Sequence, residues 1–136
     1  MSASWALQQA VFATLANDGG MQDAFGDPPR VYDTPPRGAG FPYCVIGADL
    51  ESDDSTATEK GSAHVLSVEV WSRASGFKEA KDGAEAVRDA LDGASLTVTG
   101  QTLIDLRWLD ATTQRESDGE TVRAVLRFRA VLESQT

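Results

Sequence analysis

The chain has a single cysteine, Cys44, and a single histidine, His64, and this scarcity removes several chemistries at the outset. A lone cysteine cannot form an internal disulfide, and without a CxxC pair or a His-rich tract there is no zinc-ligand pattern. The apolar neighbours Tyr43, Val45 and Ile46 predict that Cys44 is a buried thiol in a reducing compartment. No GxSxG elbow surrounds any serine. Cys44 lies inside a strand-like run, away from any helix N-terminus that would stabilise its thiolate. No residue is assigned as catalytic or metal-binding, and no cofactor is expected.

Long apolar runs are missing too. No stretch approaches the ~18 residues needed to span a membrane, and the start lacks the basic and apolar segments of a signal peptide, although Met1 to Asn17 carries no charged side chain. The expectation is a soluble protein made inside the cell, with no membrane contact. Basic residues are scarce: 12 Lys and Arg against 21 Asp and Glu leave a net charge of −9. That sign is the wrong one for a surface that grips nucleic acid by neutralising phosphates. Low-complexity tracts and internal repeats are absent, and 41% of the 136 residues are hydrophobic, which predicts one folded domain with a core of its own.

What is present centres on His64 to Leu91, HVLSVEVWSRASGFKEAKDGAEAVRDAL. From His64 to Trp71 residues alternate, placing His64, Leu66, Val68 and Val70 on one strand face, the buried one. Ser75 is a candidate N-cap for a following helix, whose stripe Phe77, Ala80, Ala84, Val87 and Leu91 lies on a sheet. Gly93 is the residue type that closes such a helix.

Upstream, Ser2 or Ser4 caps a first helix running to about Asn17, ended by Asp18-Gly19-Gly20. Its polar positions are uncharged, so its outer face is either partly covered or an ordinary solvated one. Met21 to Phe41, rich in Gly and Pro, reads as an irregular connection with a short strand at Arg30-Val31-Tyr32. Phe41 to Leu50 reads as a strand, and Glu51 to Ala63 as an exposed acidic loop. Beyond the second helix, Leu96-Thr97-Val98, Gln101 to Asp110 and Thr121 to Glu133 read as strands, with Ser117-Asp118-Gly119 a turn before the last. That order predicts a single α+β domain, a mainly antiparallel sheet covered by two helices.

Two further constellations are charged. Asp49, Glu51 and Asp53 alternate as in the first half of a calcium-binding EF-hand loop, but Asp54 stands where that loop needs glycine and Lys60 where it needs glutamate. A small ligand- or calcium-binding module using residues 51–63 is thus the alternative functional reading. On the last strand Arg123, Arg127 and Arg129 share a face with Val125 and Val131, a mixture suited to a protein contact or to cross-strand pairing with carboxylates.

FPYCVIG at Phe41 to Gly47, the His64 to Leu91 stretch and LRFRA at Leu126 to Ala130, in that order and spacing, resemble the small tail-completion proteins of tailed bacteriophages and phage-derived gene transfer agents. The resemblance covers nearly the whole chain. It implies a tail terminator: a hexameric ring at the head-proximal end of the tail tube that stops tube polymerisation and meets the neck stopper protein. DNA passes through such a ring without sequence-specific binding, and the family has no enzymatic activity and no cofactor. On this basis Glu51, Asp53, Asp54 and Glu59 are candidates for tube or neck contact or for lining the channel. Trp5, Gln8 and Phe12 on the first helix, with Arg123, Arg127 and Arg129, are candidates for the subunit interface. A ring closed by rotation uses two different patches of each subunit.

Overall fold

The computed structural model describes residues 1–135. Alternating apolar residues on the long strands dictate the architecture, because each strand has one face to bury. The elements run α1 (Ala3–Ala16), α2 (Gly19–Phe25), β1 (Val31–Tyr32), β2 (Tyr43–Asp53), β3 (Gly61–Ser72), α3 (Lys78–Leu91), β4 (Gln101–Arg115) and β5 (Val122–Ser134). The strands form one sheet in the order β1-β2-β3-β5-β4, antiparallel except where β1 runs parallel to β2. The expected α+β class is therefore observed, with three helices where two were expected.

At the centre of the sheet, Leu66, Val68 and Val70 of β3 and Val122, Ala124, Leu126, Phe128, Ala130 and Leu132 of β5 are buried. They form one cluster with Leu7, Val11 and Leu15 of α1, Met21 and Phe25 of α2, and Ala80, Val87 and Leu91 of α3. The alternate residues, including Val65, Ser67 and Glu69 of β3 and Val125, Arg127 and Arg129 of β5, occupy the opposite face and are half-buried or exposed.

The local departures from expectation have physical causes. Asp18 ends α1 but also caps α2, its carboxylate accepting from Met21 N–H at 3.0 Å. A seven-residue helix is too short to display a helical period in sequence, and nucleation alone would not support it. Packing of Met21 and Phe25 supplies the support. Ser75 does not cap α3. The N-cap is Phe77, with no side-chain hydrogen bond, while Glu79 in the first turn accepts from Ser72 Oγ at 2.8 Å. Leu96-Thr97-Val98 is irregular chain, although Val98 is buried. Apolar alternation over three residues anchors a loop as readily as it makes a strand. Gly93 takes a positive φ of 72° as expected, and its N–H donates to Leu106 C=O at 2.8 Å.

The β4–β5 hairpin closes through Asp118. Its carboxylate accepts from the Thr121 hydroxyl at 2.6 Å, Thr121 N–H at 2.8 Å and Glu120 N–H at 2.9 Å. These bonds, the Thr121 hydroxyl foremost, pull its pKa down to about 2. Because the folded value lies below the unfolded one, near ~3.9, the contribution is present above pH ~4 and is lost as pH falls toward ~2. We expect urea-unfolding midpoints to decline across that window in the wild type and to decline less in Asp118→Asn.

Candidate functional site

The acidic segment is better ordered than its sequence indicates. Strands β2 and β3 stay paired through Glu51↔His64, Ser52↔Ala63 and Asp53↔Ser62, so the loop shrinks from the expected residues 51–63 to residues 54–60. On the β2 side every residue from Leu50 to Asp53 is exposed, so no apolar alternation marks this end of the strand; backbone pairing continues the ladder. Within the tip Asp54 N–H donates to Gly61 C=O at 3.0 Å and Thr56 N–H to Glu59 C=O at 2.8 Å. The Ser55 hydroxyl donates to Asp53 Oδ1 at 2.7 Å. Glu51, Asp53, Asp54 and Glu59 are all exposed there, a projecting negative finger. Among the described residues no group of three or more His, Cys, Asp or Glu side chains could hold a metal ion.

At the root of this hairpin lies a network that sequence reasoning missed. His64 is completely buried. Its Nδ1 lies 3.0 and 3.2 Å from the two carboxylate oxygens of Asp49, and its Nε2 lies 2.9 Å from Ser62 Oγ. Ser4 of α1 donates to the same Asp49 carboxylate at 2.5 Å. A carboxylate only accepts, so in the neutral ring Nδ1 carries the proton and Nε2 accepts from Ser62. The order serine, histidine, carboxylate is that of a nucleophile relay, but the cavity beside Asp49, lined in part by Ser4, Leu7 and Leu66, encloses about 10 Å³. That is about one water's worth of space, too little for a substrate. The network instead ties the first turn of α1 to both strands of the hairpin.

The signal that hid it is a β-bulge. The register passes from Ile46↔Val68 to Asp49↔Leu66, so Gly47 and Ala48 together oppose Ser67. Strict alternation from Ile46 would turn Asp49 away from the core side, and the extra residue brings it round beneath His64.

The three candidate arginines do not form a free basic patch. Arg127 makes a two-pronged contact with Asp110, Nε to Oδ1 at 2.9 Å and Nη2 to Oδ2 at 2.5 Å, which holds the Asp110 carboxyl below its usual pKa. Arg123 Nε lies 3.0 Å from Glu116 Oε1, an ion pair whose angles do not make a hydrogen bond, and its guanidinium sits 5.3 Å from the Trp71 ring centroid. Arg129 stands opposite Val65 and Arg107 in register. This face is a lattice of paired charges with aliphatic and aromatic groups between them.

On the helical side Trp5 and Phe12 are 47% and 44% exposed, large values for aromatic side chains on a helix of which Leu7, Val11 and Leu15 are buried. With Gln8 they flank a cleft of about 500 Å³ that runs to Val31, Tyr32 and Ile46 at the β1 edge of the sheet. Trp5, Gln8 and Phe12 are thus gathered at one site, remote in the sheet order from the arginines of β5.

A family model described as tail completion protein gp17 matches residues 9–133. The chain belongs to this family of tail completion proteins. Among solved structures, a chain in the virion of a native gene transfer agent (GTA) particle is similar to it, with a TM-score of 0.91 and 34% sequence identity, covering 98% of each chain. No curated protein gives a significant match. The resemblance carried by residues 41–47, 64–91 and 126–130 is therefore confirmed at the level of family. As a tail completion protein the chain is a structural component of phage-like tails, and no helix among its described residues is long and apolar enough to cross a membrane.

Proposed function

We propose that this tail completion protein is the tail terminator of a gene transfer agent or phage-like particle. Six copies form a ring on the head-proximal end of the tail tube, stop its growth and supply the surface that the neck stopper protein meets. The observation that carries the reading is the similarity over 98% of both chains to a component of a GTA virion, at 34% identity. At that identity over the full length the fold is shared from end to end. The molecule's features support it. Function resides in surfaces: an ordered acidic finger, an uncharged helix with two exposed aromatic side chains, and a sheet face of paired charges.

A ring works by asymmetry, one side complementary to the tube end and the other not, so addition of tube subunits ends there. The exposed carboxylates Glu51, Asp53, Asp54 and Glu59 suit a contact with the tube or neck, or a channel wall along which DNA slides because like charges repel. Disruption of the gene followed by electron microscopy tests the role. The expected result is headless tails of abnormal length; headed particles with tails of normal length would overturn it.

A further inference from the structure

Strand pairing leaves one border of β2 open. Strand β1 covers only Cys44 and Val45, so from Ile46 to Asp53 no strand lies on the side of β2 away from β3. Which residues face that border follows from the hydrogen bonds. Asp54 N–H donates to Gly61 C=O across the hairpin, and along a strand the backbone groups of successive residues point to alternate sides. Leu50 and Ser52 therefore also point to β3, and Asp49, Glu51 and Asp53 point outward. Cys44 N–H, which donates to Arg30 C=O on the β1 side, has the opposite parity, and the bulge at Gly47-Ala48 accounts for the change. Among the described residues no backbone bond engages the outward N–H and C=O groups of Asp49, Glu51 and Asp53.

A strand edge with free backbone groups is a template for another strand, and its charge selects which one. The side chains of Glu51 and Asp53, with Asp54 and Glu59 at the tip, are exposed, and none of them takes part in an ion pair among the described residues. Lys60 is the one basic residue between positions 49 and 62. A second copy of this edge would set carboxylates against carboxylates. The β4 border of a second copy suits it no better, because from Leu103 to Asp110 it is net acidic and its register slips at Leu103/Asp105 and Trp108/Asp110.

We infer that the β2 edge at Asp49, Glu51 and Asp53 receives an added strand from another protein of the particle, an extended segment carrying basic side chains. Main-chain bonds hold the segment, and the carboxylates beside them reject acidic strands and this chain's own. The inference rests on the reading of the acidic finger as a tube or neck contact and adds the mode of that contact.

The isolated protein tests the mode, with a short peptide of alternating lysine and valine as probe. At a peptide concentration ~10 times its Kd, amide exchange at Glu51 and Asp53 is expected to slow about tenfold. N-methylation of the peptide backbone is expected to abolish this effect, and Glu51→Lys/Asp53→Lys to transfer it to a peptide of alternating glutamate and valine. Unchanged exchange at Glu51 and Asp53, or equal binding of the N-methylated peptide, would overturn the inference. In purified particles a photocrosslinker on Ser52→Cys, Cys44 being buried, is expected to join the finger to a basic, extended segment of a different protein. A product with a second copy of this chain overturns the inference. A product with a tube or neck protein at a helical or acidic segment overturns it too, while leaving the finger contact itself in place.

Discussion

Truncating Phe25 to alanine is expected to lower the unfolding free energy by about 3–5 kcal/mol, a large share of the ~5–15 kcal/mol available to a domain. Phe25 is completely buried at the end of α2. Its ring fills the space that a side chain at position 83 of α3 would need: a Cβ built on Gly83 would lie 2.8 Å from Phe25 Cζ and 2.9 Å from Val70 Cγ1. No neighbour can grow into the gap that truncation leaves. The complementary change makes the argument sharper. Gly→Ala inside a helix ordinarily stabilises by about 1 kcal/mol, but at Gly83 overpacking of about 1–3 kcal/mol is expected to make the net effect a loss. In a Phe25→Leu background the same Gly83→Ala change is expected to cost less, because the ring contact is relieved while the one with Val70 at 2.9 Å remains. Urea unfolding of the four proteins measures the coupling, and strictly additive effects would show that ring and glycine do not share the space.

Asp49→Ala is expected to cost about 1–3 kcal/mol, the penalty for leaving a buried donor without its acceptor. The donor is His64 Nδ1–H, and the Ser4 hydroxyl loses its acceptor at the same time. If the network is structural, removing both partners should hurt less than removing one, so Asp49→Ala/His64→Leu is expected to recover part of the loss. Thermal unfolding of the two variants decides it. An Asp49→Ala protein within ~0.5 kcal/mol of wild type, the range of an ordinary surface substitution, would mean that water replaces the carboxylate at no penalty.

The strands were readable in sequence wherever their pairing buried one face. Val122 to Leu132 alternates without a break, and the structure buries every second residue. The α3 stripe was readable for the same reason, although Gly83, an unremarkable residue in sequence, proves to leave the space that the Phe25 ring of α2 fills. What escaped was set by packing between distant segments. The helix α2 is held by the core and not by its own seven residues. Beyond Asp49 strand β2 has no buried residue to give it a period.

The candidate surfaces show the same division. Trp5, Gln8 and Phe12 stand out because an uncharged helix with large aromatic groups is legible as composition. The arginines also stand out, but their carboxylate partners Asp110 and Glu116 come from β4 and the turn that follows it, and only the register brings them together. The Asp49–His64 contact was invisible because a single extra residue at Gly47-Ala48 inverts which side the following residues face. Single-residue insertions in strands leave no mark in a hydrophobicity pattern that short.

The register of β4 is irregular at two places, and these bear on how such a subunit avoids open-ended strand addition. A long, straight outer strand is a template onto which further strands add without limit, the route to sheets and fibrils. Bulges at Leu103/Asp105 and Trp108/Asp110 increase the local twist and break the even spacing of the outward-facing amides and carbonyls. The segment between them is occupied from within the chain, Trp108 N–H by Asp92 Oδ1 at 2.9 Å and Leu106 C=O by Gly93 N–H at 2.8 Å. Along that segment an approaching strand meets backbone groups already engaged within the chain and an uneven edge, which disfavours extension of the ladder there.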